Sequence, residues 1–143
     1  MADDQKRTTG YRAWEYAAKG DYHRDLDRNW SYTPTYLRKM AYVRRILEEL
    51  PPESKILDVG CGEGVLVEEY RNRGRRIIGL DLNYEREFVQ RGSVLDLPYR
   101  DASFDLVLFL DVFEHLAYAD QPRALSEIYR VLRRGGAVSC LDS

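Results

Sequence analysis

The spacing of hydrophobic residues changes several times along the chain, and each change predicts a new secondary-structure element. From Thr35, apolar side chains recur every three or four residues, which predicts an amphipathic helix that ends before Pro51 and Pro52. Beyond these prolines, short apolar runs alternate with helical patterns. The runs predict strands at 55–59, 76–82, 88–91, 104–110 and 137–141, and the helical patterns predict helices at 65–73 and 122–134.

The alternation of strands and helices indicates an α/β protein. Strands that are separated by helices form parallel βαβ units, and such units build a doubly wound sheet. Residues Phe104 to Leu110 are almost all apolar, which is typical of a central strand covered on both faces. We therefore predict a parallel sheet between two layers of helices.

Residues 1–33 differ in composition from the rest of the chain. They contain few aliphatic side chains, several aromatic ones and no clear helical period. We interpret them as an N-terminal arm and residues 34–143 as a single folded domain. The arm would either close as a lid over a bound ligand or cover core surface, and the aromatic candidates for the lid are Tyr22, His23, Trp30 and Tyr32.

Composition narrows the classes of function. The 143 residues include 22 basic and 24 acidic side chains, and this balance excludes the strongly basic surface that a nucleic-acid partner would need. The longest uncharged apolar run, 106–110, is far too short to span a membrane, and Met1 to Gly10 lacks the features of a signal peptide. Two cysteines cannot form a disulfide scaffold, and Cys140 is expected in the core. We predict a soluble, cytoplasmic protein with no membrane partner.

The loop after the first strand carries the strongest chemical signal. It contains Gly60, Gly62 and Gly64 between a buried strand and a helix, so that the backbone can approach a ligand closely. The second strand ends at Asp81, 21 residues after Gly60. A carboxylate at this place can accept hydrogen bonds from both hydroxyls of a ribose.

Dinucleotide sites share this geometry, but two residues argue against one. The dinucleotide pattern requires its third glycine at position 65, which is Val65. The strand also carries Asp58, and a buried acid there suits a ligand with a cationic amino group rather than a pyrophosphate. A nicotinamide-dependent oxidoreductase is therefore the less favoured alternative, and a tight turn with incidental glycines is a further one.

The glycine loop and several later segments together resemble one family. Residues 56–64 closely resemble the first motif of class I S-adenosylmethionine-dependent methyltransferases. The resemblance continues in register over about 54–142, through the segments 79–83, 92–99, 103–107 and 125–136. The nearest branch is that of small-molecule enzymes similar to those of ubiquinone biosynthesis. It implies a Rossmann-like three-layer sandwich with strand order 3-2-1-4-5, and S-adenosylmethionine-dependent methyl transfer to a small molecule.

The resemblance also implies a set of residues that bind this cofactor: Asp58, Gly60, Cys61, Gly62, Gly64, Asp81, Leu82, Ser93, Val94 and Leu110. Asp58 and the loop backbone would hold the methionine end, while Asp81 would accept the ribose hydroxyls. Leu82 would pack beside the adenine, and Leu110 would lie beneath the sulfonium. Ser93 stands where the family usually has an acid that accepts a hydrogen bond from the adenine amino group. Cys61 is expected to be a small filler of the loop rather than a nucleophile.

The chain departs from the family pattern in two places. About six residues separate Asp81 from the third strand, so the usual helix there is missing or reduced to a turn. The chain also ends at Ser143, before the last two of the usual seven strands. It is either an abbreviated enzyme or a fragment, and a non-catalytic cofactor-binding domain is an alternative function. Residues 137–141 would then form an open apolar edge, which predicts pairing with a second copy or fraying.

A last candidate cluster follows the fourth strand. Asp111, Glu114 and His115 are spaced i, i+3 and i+4, so that they share one face of a helical turn. His115 is the candidate catalytic base for an acceptor hydroxyl, and a weak preference for O-methylation rests on this cluster. We expect no metal, with a divalent ion held by these three side chains as the alternative. In the simplest alternative, Glu114 caps the local backbone and His115 packs.

Overall fold

The computed structural model of the chain describes residues 28–29, 31–110 and 112–141. Tyr22, His23, Trp30 and Asp111 lie outside the described residues. The helices and strands within the described ranges are α1 (Thr33–Glu49), β1 (Lys55–Val59), α2 (Val65–Asn72), β2 (Arg76–Asp81), β3 (Val89–Arg91), β4 (Phe104–Leu110), α3 (Gln121–Val131) and β5 (Leu132–Leu141). Two short 3-10 turns, Phe113–His115 and Tyr118–Asp120, lie between β4 and α3.

The strands form one parallel sheet in the order β3-β2-β1-β4-β5, as predicted. The chain winds outward in opposite directions from β1 and β4, so the sheet has a switch point at their carboxyl ends. Because β2 lies beside β1 in parallel, the carboxyl ends of β1 and β2 meet at the same edge. This edge is where such sheets bind ligands.

Two hydrophobic clusters on opposite faces of the sheet confirm the three-layer sandwich. Alternate strand residues point to opposite faces, so that Ile56 packs with α1 and α2 while Leu57 packs with α3. Both side chains are fully buried. Tyr32, the arm aromatic within the described residues, packs against the cluster formed by α1 and accepts a hydrogen bond from Lys39 Nζ at 3.1 Å.

The connection between β2 and β3 contains no helix, as its short length predicted. Within residues 82–88 the backbone instead makes a turn, in which Phe88 takes a positive φ of 64°. Gly79 N–H donates to the Phe88 carbonyl at 2.8 Å, so the end of this turn is hydrogen-bonded to β2.

The predicted boundary between the last helix and strand was wrong. The helix ends at Val131 instead of residue 134, and β5 begins at Leu132 instead of Ala137. Leu132 is extended and pairs with Phe104, while Ala137 pairs with Leu106, so that residues 133–136 bulge out of the ladder. Strand pairing therefore overrides the local helical pattern in this segment.

Cys140 is exposed, which contradicts its expected place in the core. It lies on β5, the strand at one margin of the described sheet. Pairing of β5 with a second copy of the chain stays a prediction. Within the described part of the chain, no helix is long and apolar enough to cross a membrane.

Candidate cofactor-binding site

The glycine loop folds over the end of β2. Gly60 N–H and Cys61 N–H both donate to the Leu80 carbonyl, at 2.7 and 3.2 Å. Gly60, Gly62 and Gly64 have φ values of 74°, 60° and 82°, a left-handed conformation that side chains other than glycine rarely adopt. Helix α2 begins directly after Gly64. The sequence pattern thus produces a compact loop at the ligand-binding edge of the sheet.

The three glycines differ in what surrounds them. A Cβ at position 60 would lie 2.2 Å from Val112 Cγ2, and one at position 64 would lie 2.5 Å from Val89 Cγ2. A Cβ at position 62 would meet nothing within 4 Å. Gly60 and Gly64 are therefore required by packing, whereas the space that a Cβ would occupy at Gly62 is open.

Asp81 ties the loop to the end of β2. Gly62 N–H donates to Asp81 Oδ2 at 2.8 Å, and Asn83 N–H donates to Asp81 Oδ1 at 2.9 Å. A carboxylate oxygen can accept a second hydrogen bond, so both oxygens keep acceptor capacity for a ligand. Asp81 is in this way both a support of the loop and a candidate ligand-binding group.

Asp58 lies near the carboxyl end of β1, the middle strand of the sheet, where it pairs in register with Gly79 and Leu108. Its side chain is buried. Burial, together with the nearby Asp81 carboxylate, raises the pKa of Asp58 to about 7. Two carboxyl groups at one edge of the sheet favour a ligand that brings a positive charge.

A cleft of about 220 Å³ opens beside the loop, between the end of β2 and the segment that follows β3. Five of the predicted cofactor-binding residues line it: Gly60, Asp81, Leu82, Ser93 and Val94. Leu82 is 67% exposed at its rim and Val94 is buried beneath it. Ser93 Oγ accepts a hydrogen bond from Leu95 N–H at 3.1 Å, so the hydroxyl shapes the turn that forms this wall.

The other five predicted cofactor-binding residues do not line this cleft: Asp58, Cys61, Gly62, Gly64 and Leu110. Cys61 is buried, and a Cβ on Gly79 would lie 2.4 Å from its sulfur. Burial raises the pKa of the Cys61 thiol, and the nearby carboxyl groups of Asp58 and Asp81 raise it further. This thiol is therefore a protonated packing group. Leu110 packs partly buried against the core cluster on the α1 side.

Several residues of the cleft were missed by the sequence analysis. Val112 and Leu116, from the segment after β4, line the cleft, and so do the residues Val59, Leu80, Asn83, Gly92 and Leu95. Val112 also closes over Gly60. The available signal was topological, because the segment after β4 must leave the sheet at the same edge as the glycine loop.

The cluster after β4 is described only in part. Glu114 and His115 lie on the 3-10 turn, with His115 Nε2 3.5 Å from Glu114 Oε1. Asp111 lies outside the described residues. Within the described ranges, no three His, Cys, Asp or Glu side chains are grouped to hold a metal ion. The catalytic role of His115 stays a prediction.

Fold and site together define a class of protein. A parallel sheet of order 3-2-1-4-5, a glycine loop after β1 and a carboxylate at the end of β2 beside a cleft are the features of a Rossmann-like protein that binds a nucleoside-containing cofactor.

Comparison with known proteins specifies the family. Residues 57–140 match the family model described as "Methyltransferase domain". The chain is 35% identical over 95 residues to demethylmenaquinone methyltransferase of Symbiobacterium thermophilum, covering 66% of this chain and 35% of that protein. It is 34% identical over 97 residues to malonyl-[acyl-carrier protein] O-methyltransferase of Serratia marcescens, covering 61% and 37%.

A crystal structure of an S-adenosylmethionine-dependent methyltransferase from Methanosarcina mazei shares the fold, with a TM-score of 0.56 at 22% identity. The structural similarity covers 66% of this chain and 54% of the chain from Methanosarcina mazei. The chain belongs to the class I S-adenosylmethionine-dependent methyltransferase family, as its motifs predicted. It spans 35% and 37% of the lengths of the two curated relatives described above.

Proposed function

We propose that the chain binds S-adenosylmethionine and transfers its methyl group to a small-molecule acceptor. The observation that carries this proposal is the Asp81 carboxylate, which lines the cleft and is fixed by the glycine loop. A carboxylate in this position accepts hydrogen bonds from ribose hydroxyls. The cofactor itself supplies the activated methyl group when it is bound.

The described residues suit each part of this cofactor. Leu82 and Val94 both line the cleft and offer apolar surface for the adenine. Asp81 would hold the ribose, and the open space beside the Gly62 Cα leaves room for the methionine end. The buried Asp58 beneath the loop favours the cationic amino group of that end.

Methyl transfer to such an acceptor depends mainly on alignment. Held by Asp81 and the glycine loop, the cofactor would supply a methyl group on a sulfonium sulfur, and this sulfur would keep the bonding electron pair when an acceptor's lone pair takes the methyl carbon. The protein orients these groups and excludes water. We propose His115 as the base that takes the proton of an acceptor hydroxyl. The similarity to an O-methyltransferase supports an oxygen atom as the methyl acceptor.

Alanine in place of Gly62 should test cofactor binding with a matched control. Gly62 and Gly74 both have positive φ, 60° and 82°, and a Cβ at either meets nothing within 4 Å. Each alanine should therefore cost about 1 kcal/mol of stability. We expect Gly62→Ala to weaken S-adenosylhomocysteine binding at least tenfold by calorimetry, while Gly74→Ala binds like wild type.

Equal affinities in the two variants would contradict the assignment of the loop to the cofactor. Wild-type protein should also show no heat of binding with NAD, and a response to NAD would favour the oxidoreductase alternative. Tight binding of S-adenosylhomocysteine without methyl transfer to any of a broad panel of acceptors would favour a non-catalytic binding domain.

We expect methyl transfer to be independent of divalent ions. Positioning and the cofactor's own leaving group supply the chemistry without a Lewis acid. Initial rates with magnesium and with a chelator should therefore be the same. The metal-assisted alternative would be established if the chelator lowers the rate, magnesium restores it, and the rate of Glu114→Gln does not respond to either addition.

A further inference from the structure

The wall of the cleft around Ser93 has little regular structure of its own. Residues 92–103 contain one isolated bridge, between Ser93 and Asp96. Ser93, Val94 and Leu95 nevertheless line the cleft in which we place the cofactor's base. Something outside this segment must therefore fix its backbone.

Two side chains of α3 reach this backbone close to the cleft. Arg123 Nε donates to the Leu95 carbonyl at 2.7 Å, and Leu97 N–H donates to Glu127 Oε1 at 3.0 Å. Leu97 is 3% exposed, so its backbone groups have little access to water. Leaving such a buried group without a hydrogen-bond partner is costly.

Arg130 completes the attachment one helical turn further on. Its Nη2 donates to the Leu97 carbonyl at 2.8 Å, and its Nη1 donates to the Tyr99 carbonyl at 2.7 Å. Nη1 also donates to Asp101 Oδ1 at 2.9 Å, while Nε is paired with Glu127. The guanidinium thus connects one helix to three points of the segment and to its own acidic neighbour.

Residues 123, 127 and 130 are spaced i, i+4 and i+7, which places them on one face of α3. Hydrogen bonds from this face replace the strand pairing that the segment lacks. The pKa of Glu127 lies below its usual range because Arg130 donates to it, so the pair stays charged at neutral pH.

We infer that Arg130 and Glu127, assisted by Arg123, are positioning residues for cofactor recognition, because they hold the 95–99 backbone that sets the base-binding wall at 93–95. This inference rests on the proposed function. It assigns to the α3 face a role in affinity and in selection of the base. None of the three side chains lines the cleft.

The test uses Arg130→Lys, which keeps the charge but cannot reproduce the planar fork that bridges two carbonyls. Arg44→Lys is the control, because Arg44 also joins two elements, α1 and α2, but through Nη1 alone, which donates to both Glu69 oxygens at 2.6 Å. Binding of S-adenosylhomocysteine and of S-inosylhomocysteine, which differ only in the base, is measured by calorimetry at a temperature where circular dichroism shows every variant folded.

We expect Arg130→Lys to weaken S-adenosylhomocysteine binding about tenfold and to reduce the preference for adenine over hypoxanthine. Arg44→Lys should change neither quantity more than twofold. Glu127→Gln keeps an oxygen for Leu97 N–H and should lose less affinity than Glu127→Ala. Arg123→Ala removes a single exposed hydrogen bond, to the Leu95 carbonyl, and replaces Arg130→Lys as the test variant if Arg130→Lys does not fold.

The inference is overturned if these α3 variants bind both ligands with wild-type affinity and preference. It is also overturned if affinity falls while the preference for adenine is unchanged, since that would be a general loss of structure. Failure of the wild-type protein to bind S-adenosylhomocysteine would instead overturn the proposed function.

Discussion

Asp81→Ala is expected to weaken binding of S-adenosylhomocysteine by roughly a hundredfold. The carboxylate is proposed to accept a hydrogen bond from each of the two ribose hydroxyls, and the loss of each bond should weaken binding by a factor on the order of ten. The variant loses the acceptor proposed for the ribose. It also loses the tether to Gly62 N–H, which the carboxylate holds at 2.8 Å. Calorimetry on the folded variant measures the change directly.

Asp105→Asn is the control for this experiment. Asp105 is near the start of β4, where it accepts a hydrogen bond from Lys55 N–H at 2.8 Å, at the opposite edge of the sheet. Its substitution should leave cofactor affinity unchanged. An Asp81→Ala variant that binds as well as Asp105→Asn would remove Asp81 from the site.

Asp58→Asn is expected to stabilise the protein at pH 8 while weakening cofactor binding. The folded-state pKa of Asp58, about 7, lies above its ordinary value of 3.8. The folded chain therefore retains a proton that the unfolded chain releases, and the stability due to this proton is lost as pH rises through 7. Asparagine carries no charge to bury, so the variant should gain up to about 4 kcal/mol over wild type between pH 4 and pH 8.

Urea unfolding of both proteins across this pH range measures the difference. It should be smallest near pH 4 and largest at pH 8. Over the same range, wild-type affinity for S-adenosylmethionine should rise with pH as Asp58 ionises beside the position proposed for the cofactor's amino group. The affinity of Asp58→Asn should stay the same. A difference in unfolding free energy that does not grow with pH would show that Asp58 titrates as an ordinary carboxyl group.

Patterns within single elements were sufficient to predict most of the fold. The bounds of β1 and β4 agree with the prediction, because a strand buried on both faces appears as a mostly apolar run whatever surrounds it. The glycine loop was equally clear, since three nearby glycines permit the positive φ values that the loop adopts. These local signals, with the motifs that follow them, also identified the family.

Contacts between distant segments decided the rest. Leu132 leaves the helical pattern because Phe104 offers it a strand partner, and Cys140 is exposed because of where β5 lies in the sheet. Val112 joins the cleft only because β4 ends beside the glycine loop.

The hydrogen bonds of Arg130 to residues about thirty positions away have no counterpart in local spacing. Hydrophobic periodicity reports only whether a residue is buried within its own element. Which backbone groups a side chain reaches depends on strand register and helix placement, and these are fixed when the layers pack.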